Sequence, residues 1–293
     1  MKHSIVINNI LQGWVRMFGH AFRKWWKRRE RSSLGFTKRQ EFVLGTAILT
    51  LGLVLTQLAP IDWRYPMVVS LSVAAWLVAA LVLREDLKGV EWVTLLALPV
   101  LFTGSVSSFY FLLPVRWLTR VPVAALYAIA IYGLLLTLNI YNVSANRTIA
   151  LLRAAHTVGF LLTLITFFLL THTILAFRLS GLTNMSFLAL CSAVLILQSL
   201  WSVDLEAYIS RRVWQLTGAL TLSILEVGWI LSFWPVRSTL QALFLTTFTY
   251  SLLGMAQQYL ANRMYKRTLI EFFAVTIIVL IIVIITTNWR ELI

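Results

Sequence analysis

Apolar residues along this chain gather into long continuous blocks, such as "FFAVTIIVLIIVIITT" at 272–287, separated by short polar or basic punctuation. A block of about eighteen such residues crosses ~30 Å of hydrocarbon as a helix. The blocks do not alternate with period two, which excludes a membrane barrel. In lipid a chain must satisfy its own backbone hydrogen bonds, so helices remain. The pattern predicts an all-α, polytopic transmembrane helical bundle of about nine spans: 42–60, 65–83, 92–113, 121–141, 157–177, 185–203, 213–234, 238–258 and 271–288. Tryptophans mark many of the ends (Trp63, Trp92, Trp117, Trp201, Trp214, Trp234, Trp289), where an amphipathic ring prefers the headgroup layer.

Residues 1–41 follow a different pattern. Ile7, Leu11, Trp14, Phe18, Phe22 and Trp25 step by three and four, with Arg16, His20, Arg23 and Lys27 on a neighbouring face. This layout predicts a helix lying in the membrane plane. Arg16, Arg23, Lys24, Lys27, Arg28 and Arg29 are placed to meet anionic lipid headgroups, each worth ~1 kcal/mol near the surface. The domain reading is therefore a basic interfacial arm, 1–41, followed by a transmembrane domain, 42–293.

The spans also suggest a duplication. "PVR" recurs at 114–116 and 235–237, Trp92 is matched by Trp214, Gly133 by Gly254, and Arg147-Thr148 by Arg267-Thr268, all at nearly the same offset. Spans two to five (65–177) and six to nine (185–288) then read as parallel repeats, giving a 1 + 4 + 4 arrangement. Many transporters are built from such repeats.

Charge sets the expected threading. With the N-terminus in the cytoplasm, nineteen of the 25 Lys and Arg fall on that side and six on the other, as the positive-inside rule requires. This places the protein in a plasma or inner membrane with the C-terminus outside. The net charge of +14 is accounted for by this asymmetry; no folded basic domain exists to bind nucleic acid. One cysteine and four scattered histidines provide no metal cage, and no cofactor motif occurs.

Candidate chemistry is sparse. Glu226 lies inside the run "LTLSILEVGWILSFWPV" (220–236), where an acid must be neutralised or paired, and an intramembrane acid is a functional site by default. His172 in "LLTHTILAF" and Ser107 in "FTGSVSSFY" fall at similar depth, so Ser107, His172 and Glu226 are expected to share one layer. "GSVS" resembles the Gly-x-Ser-x of rhomboid proteases over four residues, without that family's six-span pattern. Three classes of function follow. The first is a non-enzymatic membrane component binding lipid or a membrane-protein partner. The second is a transporter of a small solute or ion with Glu226 in its site. The third is an intramembrane hydrolase or lipid-modifying enzyme. The sparse polar interior and the basic arm favour the first.

Overall fold

The computed structural model describes residues 37–58, 60, 63–84, 87, 89–113, 117–144, 151–206, 208–234 and 236–287. Residues 1–36 of the basic arm, with the six cations expected to meet lipid headgroups, lie outside the described residues, while residues 38–41 open the first helix. Among those described, nine helices and no strands form a membrane bundle. They are α1 Lys38–Leu58, α2 Arg64–Leu83, α3 Glu91–Tyr110, α4 Trp117–Ser144, α5 Leu152–Ala176, α6 Gly181–Asp204, α7 Arg211–Ser232, α8 Ser238–Leu260 and α9 Lys266–Thr286. Each contains one expected span or most of it, but several begin earlier than hydropathy alone suggests. Helices start at their caps rather than at their first greasy residue: Ser180 Oγ accepts from the Thr183 amide and Ser210 Oγ from the Val213 amide.

Eight of the nine helices are long and apolar enough to cross a membrane; α8 is not among them. The reason is its load of Gln, Thr and Ser. These face protein rather than lipid, because α8 is packed between α5, α6, α7 and α9. Its polar atoms find partners there. Gln241 Nε2 donates to the Leu231 carbonyl of α7 at 3.0 Å and Ser251 Oγ to the Phe272 carbonyl of α9 at 2.9 Å, while Thr249 Oγ1 donates within α8 to the Leu245 carbonyl at 2.8 Å. Elsewhere most buried hydroxyls are likewise satisfied by their own helix, as with Thr163, Thr166 and Ser192.

Helix ends sort to two faces. The basic end holds Arg84, Arg153, Arg211, Arg212, Arg263, Lys266 and Arg267. The opposite end holds Arg64, Arg120, Arg178 and Arg237 and, among the described residues, no carboxylate. The central helices are α3, α5 and α6, with α5 and α6 both against α3. Around them one packing scheme occurs twice. α1 packs on α2 and α4, and α5 packs on α6 and α8; α2–α3 is matched by α6–α7, α3–α4 by α7–α8, and α4–α5 by α8–α9. Helices α1, α5 and α9 begin at residues 38, 152 and 266, an even spacing of 114.

Candidate functional site

Ser107 lies on α3, fully buried. Its Oγ donates to the Thr103 carbonyl at 2.7 Å and approaches the Gly104 carbonyl at 3.2 Å, so the hydroxyl is committed to its own helix. His172 lies on α5, which packs directly on α3. Its ring is wedged between Phe109 (centroids 5.4 Å apart) and Phe168 (6.2 Å), and Nδ1 meets no hydrogen-bond partner among the described residues. A serine nucleophile needs its hydroxyl within reach of the histidine nitrogen. Here an aromatic ring touches that histidine, and the serine faces a carbonyl of its own helix. The nucleophile–base pair of a hydrolase is not assembled.

Glu226 does not join them. It lies on α7, which leans on α6 and α7's other neighbour α8, and its side chain is exposed on the outward side of the bundle. Among the described residues it makes no hydrogen bond or ion pair. The expected layer of Ser107, His172 and Glu226 is therefore not formed. Helix rise alone sets the depth expected of each residue, and depth does not decide which way a side chain points around the helix axis. Glu226 is 4.5 residues beyond the midpoint of Arg211–Ser232, or ~7 Å toward the opposite end at 1.5 Å per residue.

The outward side of α7 has a clear composition. Arg212, Gln215, Ala219, Leu222, Glu226, Trp229 and Phe233 step by alternating threes and fours, and all seven are exposed. This is a heptad seam, the spacing by which two helices interlock side by side. Gly218 and Ala219 keep its centre shallow, and no neighbouring helix comes within 4 Å of where a Gly218 Cβ would stand. Small residues let helix backbones approach closely in lipid, and polar ones can bond across the gap. Leu222 (57% exposed) and Phe233 (76%) show how bare the seam is.

A second polar constellation sits at the basic end and was not expected from the sequence. Asn142 Nδ2 donates to the Leu83 carbonyl (2.9 Å), joining α4 to α2. Tyr141 Oη donates to the Ala155 carbonyl (3.0 Å), joining α4 to α5. His156 Nε2 lies 2.9 Å from the Ser202 carbonyl, joining α5 to α6, and stacks obliquely on Tyr141. Gln257 Nε2 reaches Ser199 Oγ (2.9 Å), joining α8 to α6. Gly159 makes room for this: a Cβ there would lie 2.5 Å from Tyr141 Oη. The result is a collar of side chains, each bridging two helices. Its chemistry is cohesion, since every bond ends on a carbonyl or hydroxyl of a neighbouring helix. The signal was present: amides at 142 and 257 stand one or two turns inside apolar runs, where a side chain without a partner would be costly.

Neither the curated proteins nor the solved structures contain a match to this chain. A family match does exist, over residues 47–286, which runs from within α1 to the end of α9. The chain thus belongs to the DUF5656 family, described as proteins of unknown function.

Proposed function

We propose that this protein is a non-enzymatic membrane component that works as a lateral assembly, pairing with a second copy of itself through the α7 seam. The observation that carries this reading is the exposed Glu226 on the heptad-spaced outward face of α7. An acid facing acyl chains is among the least favourable placements in a membrane protein. Packing against another helix removes that exposure. In a two-fold pair whose axis runs along the membrane normal, each seam residue meets its own counterpart. Glu226 then faces Glu226, a pair that bonds when one carboxyl carries the proton and donates to the other, and Gln215 faces Gln215. Closed two-fold pairs are the commonest oligomers, and a polar residue within a seam fixes register.

The repeated packing scheme supports the same face. At the offset of the sequence repeats, α7 stands where α3 stands in the first set of helices. The α3 residues corresponding to Arg212, Gln215, Ala219 and Glu226 are Glu91, Thr94, Leu98 and Ser105, all buried in the bundle. Four positions that neighbouring helices cover on α3 are thus bare on α7.

The test is disulfide trapping in native membranes. Cys191→Ser removes the one cysteine, and Leu222→Cys places a thiol on the seam. Ile129→Cys, on the exposed side of α4, is the control. Oxidation is expected to give a covalent dimer from position 222 and none from 129. Equal yields, or none at 222, would overturn the pairing.

A further inference from the structure

Glu226 stands six residues short of the α7 end at Ser232, ~9 Å along the axis. On the seam Leu222 lies one turn before it and Trp229 one turn after, both exposed. The Trp229 and Phe233 rings meet edge-on at 5.7 Å, an aromatic step between the carboxyl and the helix end. In the lone chain the acid is exposed, so an ionised carboxylate can extend past this step toward the headgroup layer and its water.

The pair proposed above changes these surroundings. Each carboxyl meets its counterpart, while Leu222 and the aromatic step of both copies close over the two from either side. With water excluded, two negative charges at close range repel strongly and little screens them. One proton removes the conflict. Two carboxylates and a proton drawn from water give one carboxyl group, whose O–H donates to the remaining carboxylate. Hydrogen bonds of this charged kind are short and roughly twice as strong as neutral ones. Neither copy holds such a site alone, since each supplies only half of its oxygens.

The helices behind α7 leave the two carboxyls to each other. Glu226 is the one carboxyl on α7, whose other charged groups, Arg211 and Arg212, stand at the basic end. On α6 the titratable side chains are Cys191 and Asp204, the latter also at the basic end. On α8 they are Tyr250 and Tyr259, and Tyr250 meets the Phe160 ring of α5 and the Phe272 ring of α9. Arg237 borders the opposite end, beyond the aromatic step.

We infer that pairing through α7, on the reading proposed above, builds a proton-binding site from the two Glu226 carboxyls, which hold one proton between them and tie assembly to pH. Wherever the lone carboxyls are ionised, each pair formed takes up one proton. The dissociation constant therefore rises about tenfold for each unit of pH. Where the lone carboxyls are already protonated, the uptake ends and so does the slope.

The test is energy transfer between N-terminally labelled copies of the full chain in phosphatidylcholine vesicles, from about pH 5 to about pH 9 with the same buffer on both sides. Cys191→Ser removes the thiol of α6 from the titration. The Glu226 seam is expected to weaken about tenfold per unit over the upper part of that range, and Glu226→Gln, which has no proton to gain, to show no slope. Pairing that is flat over the whole range, or an equal slope in Glu226→Gln, would overturn the proton site and leave the seam standing. Pairing that strengthens with sodium at fixed pH and loses its pH slope would overturn it too, because a metal cation would then hold the proton's place. Absence of energy transfer at every pH would overturn the pairing and the proton site together.

Discussion

Replacing Glu226 separates two roles that a buried site would combine. In the single chain, Glu226 has no described partner and faces outward, so Glu226→Leu removes an unfavourable exposure and breaks nothing. On the insertion scale, an acid such as Asp costs about 3 kcal/mol at a helix centre while Leu contributes about −0.5 kcal/mol. Glu226 lies ~7 Å from the midpoint, so we expect the gain in stability of the lone chain to be about 2 kcal/mol. In the pair the sign reverses. A bond between membrane helices is worth ~1–2 kcal/mol in model peptides, so losing the Glu226 contact should weaken association roughly tenfold. Glu226→Gln keeps a donor and an acceptor and should associate within about threefold of wild type. Energy transfer between labelled copies, measured in vesicles as lipid is added, reads the association; steric trapping of the unfolded chain reads stability. If the Leu variant pairs as well as wild type, the seam is not the interface. A Leu variant that unfolds more readily would instead mean that the acid has an interior partner, contrary to its position.

Three further outcomes follow from the same geometry. Gln257→Leu removes the Gln257–Ser199 link between α8 and α6 and should cost about 1 kcal/mol by steric trapping, the scale of one membrane hydrogen bond. Gly159→Ala should cost about 1–3 kcal/mol, because its Cβ displaces Tyr141 and with it the bond to Ala155. Ser107→Ala should change stability by less than about 1 kcal/mol, since the hydroxyl only duplicates a bond to a carbonyl already held in its own helix; a large loss of any activity in this variant would restore the hydrolase reading.

The spans were legible because lipid leaves a chain few choices. An apolar run of sufficient length must be helical, and Trp63, Trp92 and Trp214 marked where such runs meet the surface. Two things were not legible. The first was direction around each helix axis. Glu226, His172 and Ser107 were placed at comparable depth, yet the rotation of α7 is set by how Thr217, Ile224, Gly228 and Leu231 pack inward, which a single sequence does not state. The second was the collar at the basic end. Its members come from α4, α5, α6 and α8, and their hydrogen bonds span up to 59 residues of sequence, as from Asn142 to Leu83. The phase of the duplication also reads differently in the fold. Repeats beginning at 65 and 185 leave α1 as an addition in front, whereas the packing of α1 on α2 and α4, and of α5 on α6 and α8, favours two sets of four helices followed by α9.

That phase makes α9 the least supported helix, and its attachment can be tested at one residue. Its counterpart α5 is held by α3, α4, α6 and α8, while α9 leans chiefly on α8, and Val283 alone among its residues is buried. The attachment is concentrated in a short stretch. Ser251 Oγ donates to the Phe272 carbonyl at 2.9 Å and lies 2.6 Å from Thr276 Oγ1, and the Tyr250 and Phe272 rings meet edge-on at 5.2 Å. Gly254 makes this contact close, because a Cβ there would fall 2.5 Å from the Phe272 ring. Gly254→Leu must push Phe272 aside, with overpacking of about 1–3 kcal/mol, comparable to one or two interhelical hydrogen bonds. We therefore expect α9 to separate from α8 while the other eight helices stay packed. The measurement is a cysteine pair, Ser251→Cys with Thr276→Cys on Cys191→Ser, at the two positions whose hydroxyls meet across α8 and α9, oxidised in membranes with and without the glycine change. Cross-linking should fall severalfold in Gly254→Leu with the collar-dependent stability unchanged. Undiminished cross-linking would show that α9 is held by contacts elsewhere along its length, and that the resemblance of α8–α9 to α4–α5 goes deeper than a shared neighbour.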